Sequence, residues 1–237
     1  LGHLNTPDRK IWTAEDPVEI TQPGLQQVQV LPKIGFDFNA AMRAFLRADP
    51  DVILIGEMRD RETAHTAMEA SLTGHLVLST LHTNSAPETI TRLLDLGLDP
   101  FNFADALLGV LAQRLVRTLC PQCREAYEAD AGETRQLLRM LGEAERAALG
   151  ANAHGIRLNR AVGCAHCAGS GYRGRMGIHE LLTGTPALRD LISARAPVSV
   201  IREQAVRDGM TSLLQDGVHK ILAGHTDLQQ VLRVVAV

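Results

Sequence analysis

Two stretches of consecutive aliphatic residues stand out in the hydrophobic pattern and predict two buried strands. Residues 52–55 read Val-Ile-Leu-Ile, and residues 76–81 form a second, mostly aliphatic run. Runs without alternation are typical of strands that are buried on both faces, as in a parallel sheet. Residues 61–72 between them have a helical composition. The spacing therefore predicts a βαβ unit with a right-handed crossover.

The remaining elements are predicted from the same patterns. A short strand is predicted at residues 10–14, and alternation predicts a small edge strand at 27–30. Residues 37–47 and 86–96 are predicted to be helices, and a capping Asp-Pro pair predicts a longer helix over residues 99–119. Helices are also predicted over most of the C-terminal half, at residues 136–149, 186–194, 198–208, 211–223 and 227–235.

Acidic residues follow two of the predicted strands. Glu57 comes just after strand 52–55, and Glu15, Asp16 and Glu19 follow strand 10–14. Ligands of open α/β sheets bind beyond the carboxyl ends of strands, so Glu57 is placed like the acid of a Walker-B element that orients a water. Three carboxylates within five residues are costly unless they face water or a cation, which favours a role near Mg²⁺. Solvated charged turns are the simpler alternative in both places.

Two histidines flank the second buried strand. His82 follows it and is expected at the same edge as Glu57, where an imidazole can bond a terminal phosphate or report its loss. A single histidine after a strand is more often a local hydrogen-bonding group, but His75 before the same strand weakens that alternative. The predicted helix at 37–47 directs Arg43 and Arg47 toward the acidic strand that follows it.

Four cysteines form two CxxC pairs, Cys120 with Cys123 and Cys164 with Cys167, separated by 40 residues. A CxxC turn presents two thiolates at the bite that tetrahedral Zn²⁺ needs, so two turns predict a closed structural zinc site. A redox CxxC or four unpaired thiols are the alternatives. The expected metal would join the two ends of a small helical insert. The glycine-rich residues 169–175 are predicted to be a tight turn, because their spacing does not fit a phosphate-binding P-loop.

Composition narrows the function class. Hydrophobic residues make up 45% of the 237, aromatic residues only 3%, and the net charge is −3. A mildly acidic chain has no basic excess to hold nucleic-acid phosphates and few rings for base stacking. No apolar run approaches the ~20 residues of a membrane span, and no signal peptide opens the chain, which indicates a cytoplasmic setting. Residues 1–4 read like the tail of a helix, so a fragment of a longer protein is expected.

Together these motifs resemble those of the secretion NTPases that power type II secretion and type IV pilus assembly. Residues 47–60 resemble the signature around the family's Walker B element, and residues 15–19 resemble its aspartate box. Residues 73–84 resemble its histidine box. The paired CxxC turns resemble the tetracysteine element of the assembly and secretion branch. Because the family's retraction motors generally lack this element, a role in pilus retraction is the less favoured expectation.

The resemblance implies an α/β, RecA-like P-loop NTPase core, a homohexamer, and an ATPase that acts on inner-membrane assembly platform proteins from the cytoplasmic side. It implies that Glu57 activates water, that Glu15, Asp16 and Glu19 work near Mg²⁺, and that His75 and His82 contact the γ-phosphate side. Weaker candidates for charge neutralisation are Arg43, Arg47 and Arg59. The implied domains are a partial ATPase core at 1–118, a zinc-binding subdomain at 119–170 and a helical subdomain at 171–237.

One departure from the family pattern limits what the chain is expected to do alone. The sequence contains no GxxxxGK[ST] phosphate-binding loop. Phosphoryl transfer depends on positioning and charge stabilisation, so the 237 residues alone are expected to bind ATP weakly and hydrolyse almost none. A non-catalytic RecA-like subunit and a zinc-bearing nucleic-acid binder stay open as alternatives.

Overall fold

The computed structural model describes residues 1–150 and 155–235. Contacts divide the chain into two compact units. Unit 1 consists of Leu1–Gly109 and Thr183–Ala205, and unit 2 consists of Val110–Leu182 and the residues from Val206 onward. Within the described residues, no helix combines the length and the apolar character needed to cross a bilayer.

Unit 1 is built on a four-stranded parallel sheet in the order β2-β1-β3-β4. Its strands are β1 (Ile11–Glu15), β2 (Leu25–Gln29), β3 (Val52–Ile55) and β4 (Leu76–Ser79). Its helices are α1 (Phe38–Phe45), α2 (Arg61–Leu72), α3 (Ala86–Asp95), α4 (Pro100–Ala106), α7 (Pro186–Ser193) and most of α8 (Val198–Arg207). The predicted βαβ unit is confirmed as β3-α2-β4, and with it the α/β class.

Local chemistry explains where these helices begin. The carboxylate of Asp60 accepts the Thr63 backbone N–H at 2.8 Å and so caps α2. Asp37 caps α1 in the same way, and Asp99 caps α4 ahead of a proline. The core of unit 1 packs α1 and α2 against the sheet, with Met42 and Phe45 of α1 fully or almost fully buried. These contacts hold the strands in the register that positions the residues at their carboxyl ends.

Unit 2 pairs two long strands and surrounds them with helices. It contains β5 (Gly109–Leu119), β6 (Glu125–Glu128), α5 (Ala131–Met140), α6 (Glu143–Gly150), β7 (Arg157–Arg160), β8 (Tyr172–Thr183), α9 (Leu213–Leu222) and α10 (Leu228–Val235). β5 pairs with β8, and β6 pairs with β7 in antiparallel register. Leu137, Leu158 and Ile178 are among the fully buried residues at its centre.

Two sequence predictions in this region are wrong. The helix predicted over residues 99–119 ends at Ala106, and residues 109–119 form β5. The helical subdomain implied for residues 171–237 begins instead with the strand β8, whereas the helices predicted from residue 186 onward are present as α7 to α10. Both strands alternate between buried and exposed positions, with Val116 buried and Leu115 exposed, for example. Leucines at 107, 111 and 115 also fit a helical spacing, so the local pattern is compatible with a helix and with a strand. The strand partner that decides between helix and strand lies about 60 residues away in the sequence.

The insert between the CxxC turns is also not purely helical. β6 and β7 form a two-stranded ladder from Glu125↔Arg160 to Glu128↔Arg157. The helix predicted at 136–149 is two helices, and the first begins earlier because Asp130 and Glu133 form a capping box. The metal predicted there would therefore join the ends of a mixed segment.

Replacing Gly217 in α9 with alanine is expected to destabilise unit 2 by roughly 1–3 kcal/mol, as overpacking of a dense core does. Alanine would normally favour a helix by about 1 kcal/mol over glycine. Here a Cβ at Gly217 would lie 2.5 Å from Cγ1 of Val231, which is fully buried. Urea denaturation of Gly217→Ala, Val231→Ala and the double variant measures the effect.

The double variant is expected to lose less free energy of unfolding than the two single variants lose together, because removing the Val231 methyl groups relieves the clash. Strictly additive losses would show that the close approach of these two positions does not limit stability.

Candidate functional site

The carboxyl edge of the parallel sheet brings an acid and an imidazole together. Glu57 lies two residues beyond β3, and His82 lies three residues beyond the neighbouring strand β4. His82 Nε2 lies 3.3 Å from Glu57 Oε2, and the Arg59 guanidinium lies 2.5 Å from Glu57 Oε1. Both carboxylate oxygens of Glu57 are therefore engaged by nitrogen groups that open toward solvent.

Hydrogen bonds beyond the ends of the strands hold this edge in place. The Gly56 N–H donates to the Ala14 carbonyl at 2.8 Å, and the Met58 N–H donates to the Thr80 carbonyl at 3.0 Å. The Thr80 hydroxyl donates to the Gly56 carbonyl at 2.5 Å. The backbone on both sides of Glu57 is thus tied to β1 and to the segment after β4, so the carboxylate has a fixed base.

Exposure differs sharply across the cluster. The Glu57 side chain is 13% exposed, whereas the side chains of Arg59 and His82 are 69% and 86% exposed. A sheltered carboxylate between exposed cationic or hydrogen-bonding groups can accept a proton from a water, while the outer groups can turn toward an anionic substrate.

Glu15 occupies the same edge on the adjacent strand β1. Its Oε1 accepts the Thr13 hydroxyl at 2.6 Å and the Gln27 side-chain N–H at 2.9 Å. The register Ala14↔Ile55 puts Glu15 beside the start of the Gly56–Glu57 segment. Asp16 and Glu19 are exposed in the loop that follows. Asp16 and Glu19 therefore face water, as a role near a hydrated cation requires, whereas Glu15 is held in place by its two hydrogen bonds.

The four cysteines form a compact sulfur cluster in unit 2, and their sulfurs all lie within 4.8 Å of one another. The Cys120–Cys164, Cys123–Cys167 and Cys164–Cys167 sulfur pairs are 4.0, 3.8 and 3.8 Å apart. A tetrahedron with Zn–S bonds of about 2.3 Å has sulfur–sulfur edges of about 3.8 Å. The donor set and its spacing therefore fit one Zn²⁺ with no position left open.

Backbone amides around the cluster favour thiolates. Sγ of Cys123 accepts the Gly163 N–H at 3.3 Å, and Sγ of Cys167 accepts those of Cys164 and Gly171 at 3.2 Å each. Chiefly through the Cys164 donor, these bonds lower the pKa of the Cys167 thiol to about 6, against the opposing effect of burial. Burial raises the pKa of the Cys123 thiol to about 11.

Gly163 allows the chain segments before and after the second CxxC turn to approach each other closely. Its φ is +112°, and a Cβ there would lie 2.5 Å from the Gly169 carbonyl oxygen. Of the glycine-rich residues 169–175, only residues 169–171 form a turn after the second CxxC pair, and the predicted tight turn is cut short because β8 begins at Tyr172.

Residues 1–233 match the family described as Type II/IV secretion system protein. The chain belongs to this family.

Curated relatives in the secretion family are nearly half identical to this chain. It is 48% identical to the type IV pilus assembly ATPase PilB of Thermus thermophilus over 98% of its length, covering 25% of that protein. It is 48% identical to the type II secretion system ATPase E of Vibrio cholerae over 99% of its length, covering 44% of that protein. The chain thus spans less than half of the length of these relatives.

Solved structures support the fold. The pilus retraction motor PilT with bound ADP matches with a TM-score of 0.65 at 26% identity, over 98% of this chain and 55% of that chain. The ATPase DotB of Legionella pneumophila matches with a TM-score of 0.64 at 22% identity, over 98% of this chain and 53% of that chain.

Some residues suggested by the family motifs do not lie at the Glu57 edge. His75 precedes β4, so it lies at the opposite, amino end of the strand from His82. Its Nδ1 is 3.0 Å from the Ala70 carbonyl and 3.2 Å from the Thr73 hydroxyl, at the end of α2. Of the two histidines that the resemblance assigns to the γ-phosphate side, His82 therefore lies at the Glu57 edge and His75 does not.

Arg43 and Arg47 belong to α1 and the turn after it, and both are exposed. Arg43 lines an open groove of about 500 Å³ on α1 and α2, together with Arg61 and His65 among others. Among the described contacts, neither arginine touches Glu57. Arg59, the third arginine candidate, is the one that the structure brings to the carboxylate.

Sequence reasoning missed Gln27 and Thr80, which hold Glu15 and the Glu57 backbone. Gln27 lies in the alternating strand that was predicted, so its position was available but its partner was not. Each contact depends on the strand order, which the sequence pattern leaves undetermined.

Proposed function

We propose that this chain is the water-activating and zinc-bearing part of an ATP-hydrolysing motor of type II secretion or type IV pilus assembly. The proposal is carried by the placement of Glu57 and His82 at one carboxyl edge of the sheet, 3.3 Å apart. Family membership and relatives named as ATPases support it. The length of those relatives supports a chain that works as part of a longer protein, which would supply the remaining phosphate-binding groups.

In this proposal Glu57 accepts the proton of the attacking water. His82 and Arg59 face the terminal phosphate and offset charge as it develops, while Glu15, Asp16 and Glu19 orient the waters around Mg²⁺. Because His75 lies at the other end of β4, it acts only through the packing of α2. Arg43 on α1 and Arg47 in the turn after it, both exposed, are proposed to neutralise charge between subunits.

The partners and the metal are part of the same proposal. Cys120, Cys123, Cys164 and Cys167 would hold one Zn²⁺, which supplies no catalytic position and only crosslinks the chain. We propose a RecA-like core in a homohexamer that works on the cytoplasmic face of the inner membrane against assembly platform proteins. Higher identity to assembly and secretion ATPases than to the retraction motor favours the assembly branch.

The proposed domain assignment follows the chemistry: nucleotide-facing groups within residues 1–118, metal ligands within 119–170, and a terminal subdomain at 171–237 that includes β8. Chimeras in which whole segments of this chain are exchanged at these bounds with those of relatives, tested for function, would show whether each segment works as a unit.

Replacing His82 with alanine in the full-length protein is expected to lower kcat for ATP hydrolysis by about 10²-fold, the usual cost of losing one charge-stabilising donor. The highly exposed imidazole contributes little to folding, so expression and thermal stability should be unchanged. Phosphate release under saturating ATP measures the effect.

His65→Ala is the matched control, because His65 is also an exposed histidine of unit 1, paired with Glu69 at 3.5 Å on α2. It should leave kcat near the native value. Equal losses in both variants would remove His82 from the phosphate-facing role, and a native protein without ATP turnover would overturn the proposed function.

A further inference from the structure

Two of the three sulfur contacts described above connect the two CxxC turns, and the third, Cys164–Cys167 at 3.8 Å, lies within the second turn. Cys120 Sγ lies 4.0 Å from Cys164 Sγ, and Cys123 Sγ lies 3.8 Å from Cys167 Sγ. Each of these pairs joins residues 44 positions apart in the chain. The four sulfurs can therefore be divided completely into two pairs that each cross from one turn to the other.

Each cross-turn pair combines one accessible and one buried cysteine. Cys164 and Cys123 are partly exposed, whereas their respective partners Cys120 and Cys167 are buried. An oxidant from solvent reaches the outer member of a pair first, and the inner member is already in place to react with the product. This is the arrangement of an attacked thiol next to a resolving thiol.

We propose that the cluster is a reversible oxidation site, in which peroxide replaces the bound zinc by the disulfides Cys120–Cys164 and Cys123–Cys167. The inference rests on the zinc site of the proposed function. An outer thiolate attacks one peroxide oxygen, the O–O bond breaks, and the sulfur becomes a sulfenic acid while the other oxygen leaves as water after protonation. The inner thiolate then attacks that sulfur and displaces the second oxygen, also as water.

Each disulfide thus transfers two electrons to one peroxide, so two peroxides oxidise four thiolates and free one Zn²⁺. Sulfur atoms about 4 Å apart must approach to about 2.05 Å, a movement that rotation of two cysteine side chains can supply.

The pairing decides what happens to the fold. Cys120 also donates its backbone N–H to the Gly171 carbonyl at 2.9 Å, beside the start of β8. Cross-turn disulfides would keep this junction closed after the metal has left, whereas disulfides within each CxxC turn would leave the two turns unconnected. Oxidised protein should therefore keep its structure without zinc, in contrast to reduced protein treated with a chelator.

The test uses full-length, zinc-loaded protein titrated with hydrogen peroxide. Released zinc is followed with a colorimetric chelator, and disulfides are assigned by mass spectrometry of peptides from the non-reduced protein. We expect one zinc per chain to be released with two peroxides consumed, and the pairs Cys120–Cys164 and Cys123–Cys167. Retained zinc, disulfides within the turns, or sulfinic acids as the main products would each overturn the proposal.

Three comparisons keep the outcome interpretable. Zinc content is measured before oxidation, so that its absence there overturns the zinc assignment itself, while zinc that resists peroxide overturns only the exchange. Dithiothreitol and added zinc should restore the metal, which separates disulfides from oxidised methionines. A folded Cys123→Ser variant should still form the Cys120–Cys164 disulfide on oxidation. If this variant does not fold, the peptide map of the native protein decides alone.

Discussion

Full-length protein carrying Glu57→Gln is expected to bind ATP with nearly native affinity and to hydrolyse it roughly 10²- to 10⁴-fold more slowly, the range attributed to a positioned general base. The amide has the same shape as the carboxylate but cannot take a proton from water. Because Glu57 is only 13% exposed and its backbone is held by the Gly56 and Met58 bonds, the substituted side chain should stay in place. Steady-state phosphate release and equilibrium binding of a labelled nucleotide separate the two effects.

Glu69→Gln provides a closely matched control for this prediction. Glu69 is also a glutamate of unit 1 paired with a histidine, His65, at 3.5 Å, but it lies near the end of α2, which leads to the amino end of β4. The control should retain native turnover. Native turnover in the Glu57 variant would exclude Glu57 as the base, and a comparable loss in both variants would point to a general effect of charge.

The sequence was sufficient for the part of the fold that local periodicity encodes. Uninterrupted aliphatic runs marked β3 and β4, and the intervening helix begins and ends at the predicted residues, 61 and 72. Parallel neighbours place their carboxyl ends at one edge, so the meeting of Glu57 and His82 followed from the βαβ prediction alone. His75 also flanks β4, but at the amino end of the strand, so the same argument does not bring it to the Glu57 edge.

The sequence predictions around β5 and β8 are wrong because these strands are defined by pairing between distant segments. β5 and β8 are separated by the whole cysteine-bearing insert, and leucines such as Leu111 and Leu115 suit a helix and a strand equally well. Their exposure, at 58% and 47%, shows that they do not form the buried stripe that a helix would have required. The supporting roles of Gln27 and Thr80 depend on strand order for the same reason.

The cysteine spacing predicted a four-sulfur site, but the sequence did not show which sulfurs approach each other. That depends on Gly163, which lets the segment before the second turn pass within contact distance of Gly169. The CxxC spacing thus indicates the four ligands, whereas the tertiary structure determines which sulfurs lie close enough to pair in the redox proposal.

Removing the proposed zinc from reduced protein is expected to open unit 2 while unit 1 stays closed. Binding of structural zinc is worth about 10–16 kcal/mol in small zinc-finger peptides, and even about 3 kcal/mol lost here would raise the opening equilibrium roughly 100-fold. Amide hydrogen exchange in the presence of a chelator and a reductant should accelerate first in residues 120–167 and leave the α2 and β3 amides of unit 1 nearly unchanged.

Cys167→Ser should reproduce this pattern without a chelator and lower the zinc content well below one per chain. His166→Gln changes the neighbouring residue of the same turn, whose ring contacts Arg173 and not the sulfurs, so it should keep both zinc and slow exchange. The β5–β8 pairing and the junction of Cys120 with Gly171 lie next to the cluster, which is why exchange should spread from there. Uniform acceleration across both units, or native exchange in metal-free protein, would show that the cluster does not hold unit 2 together.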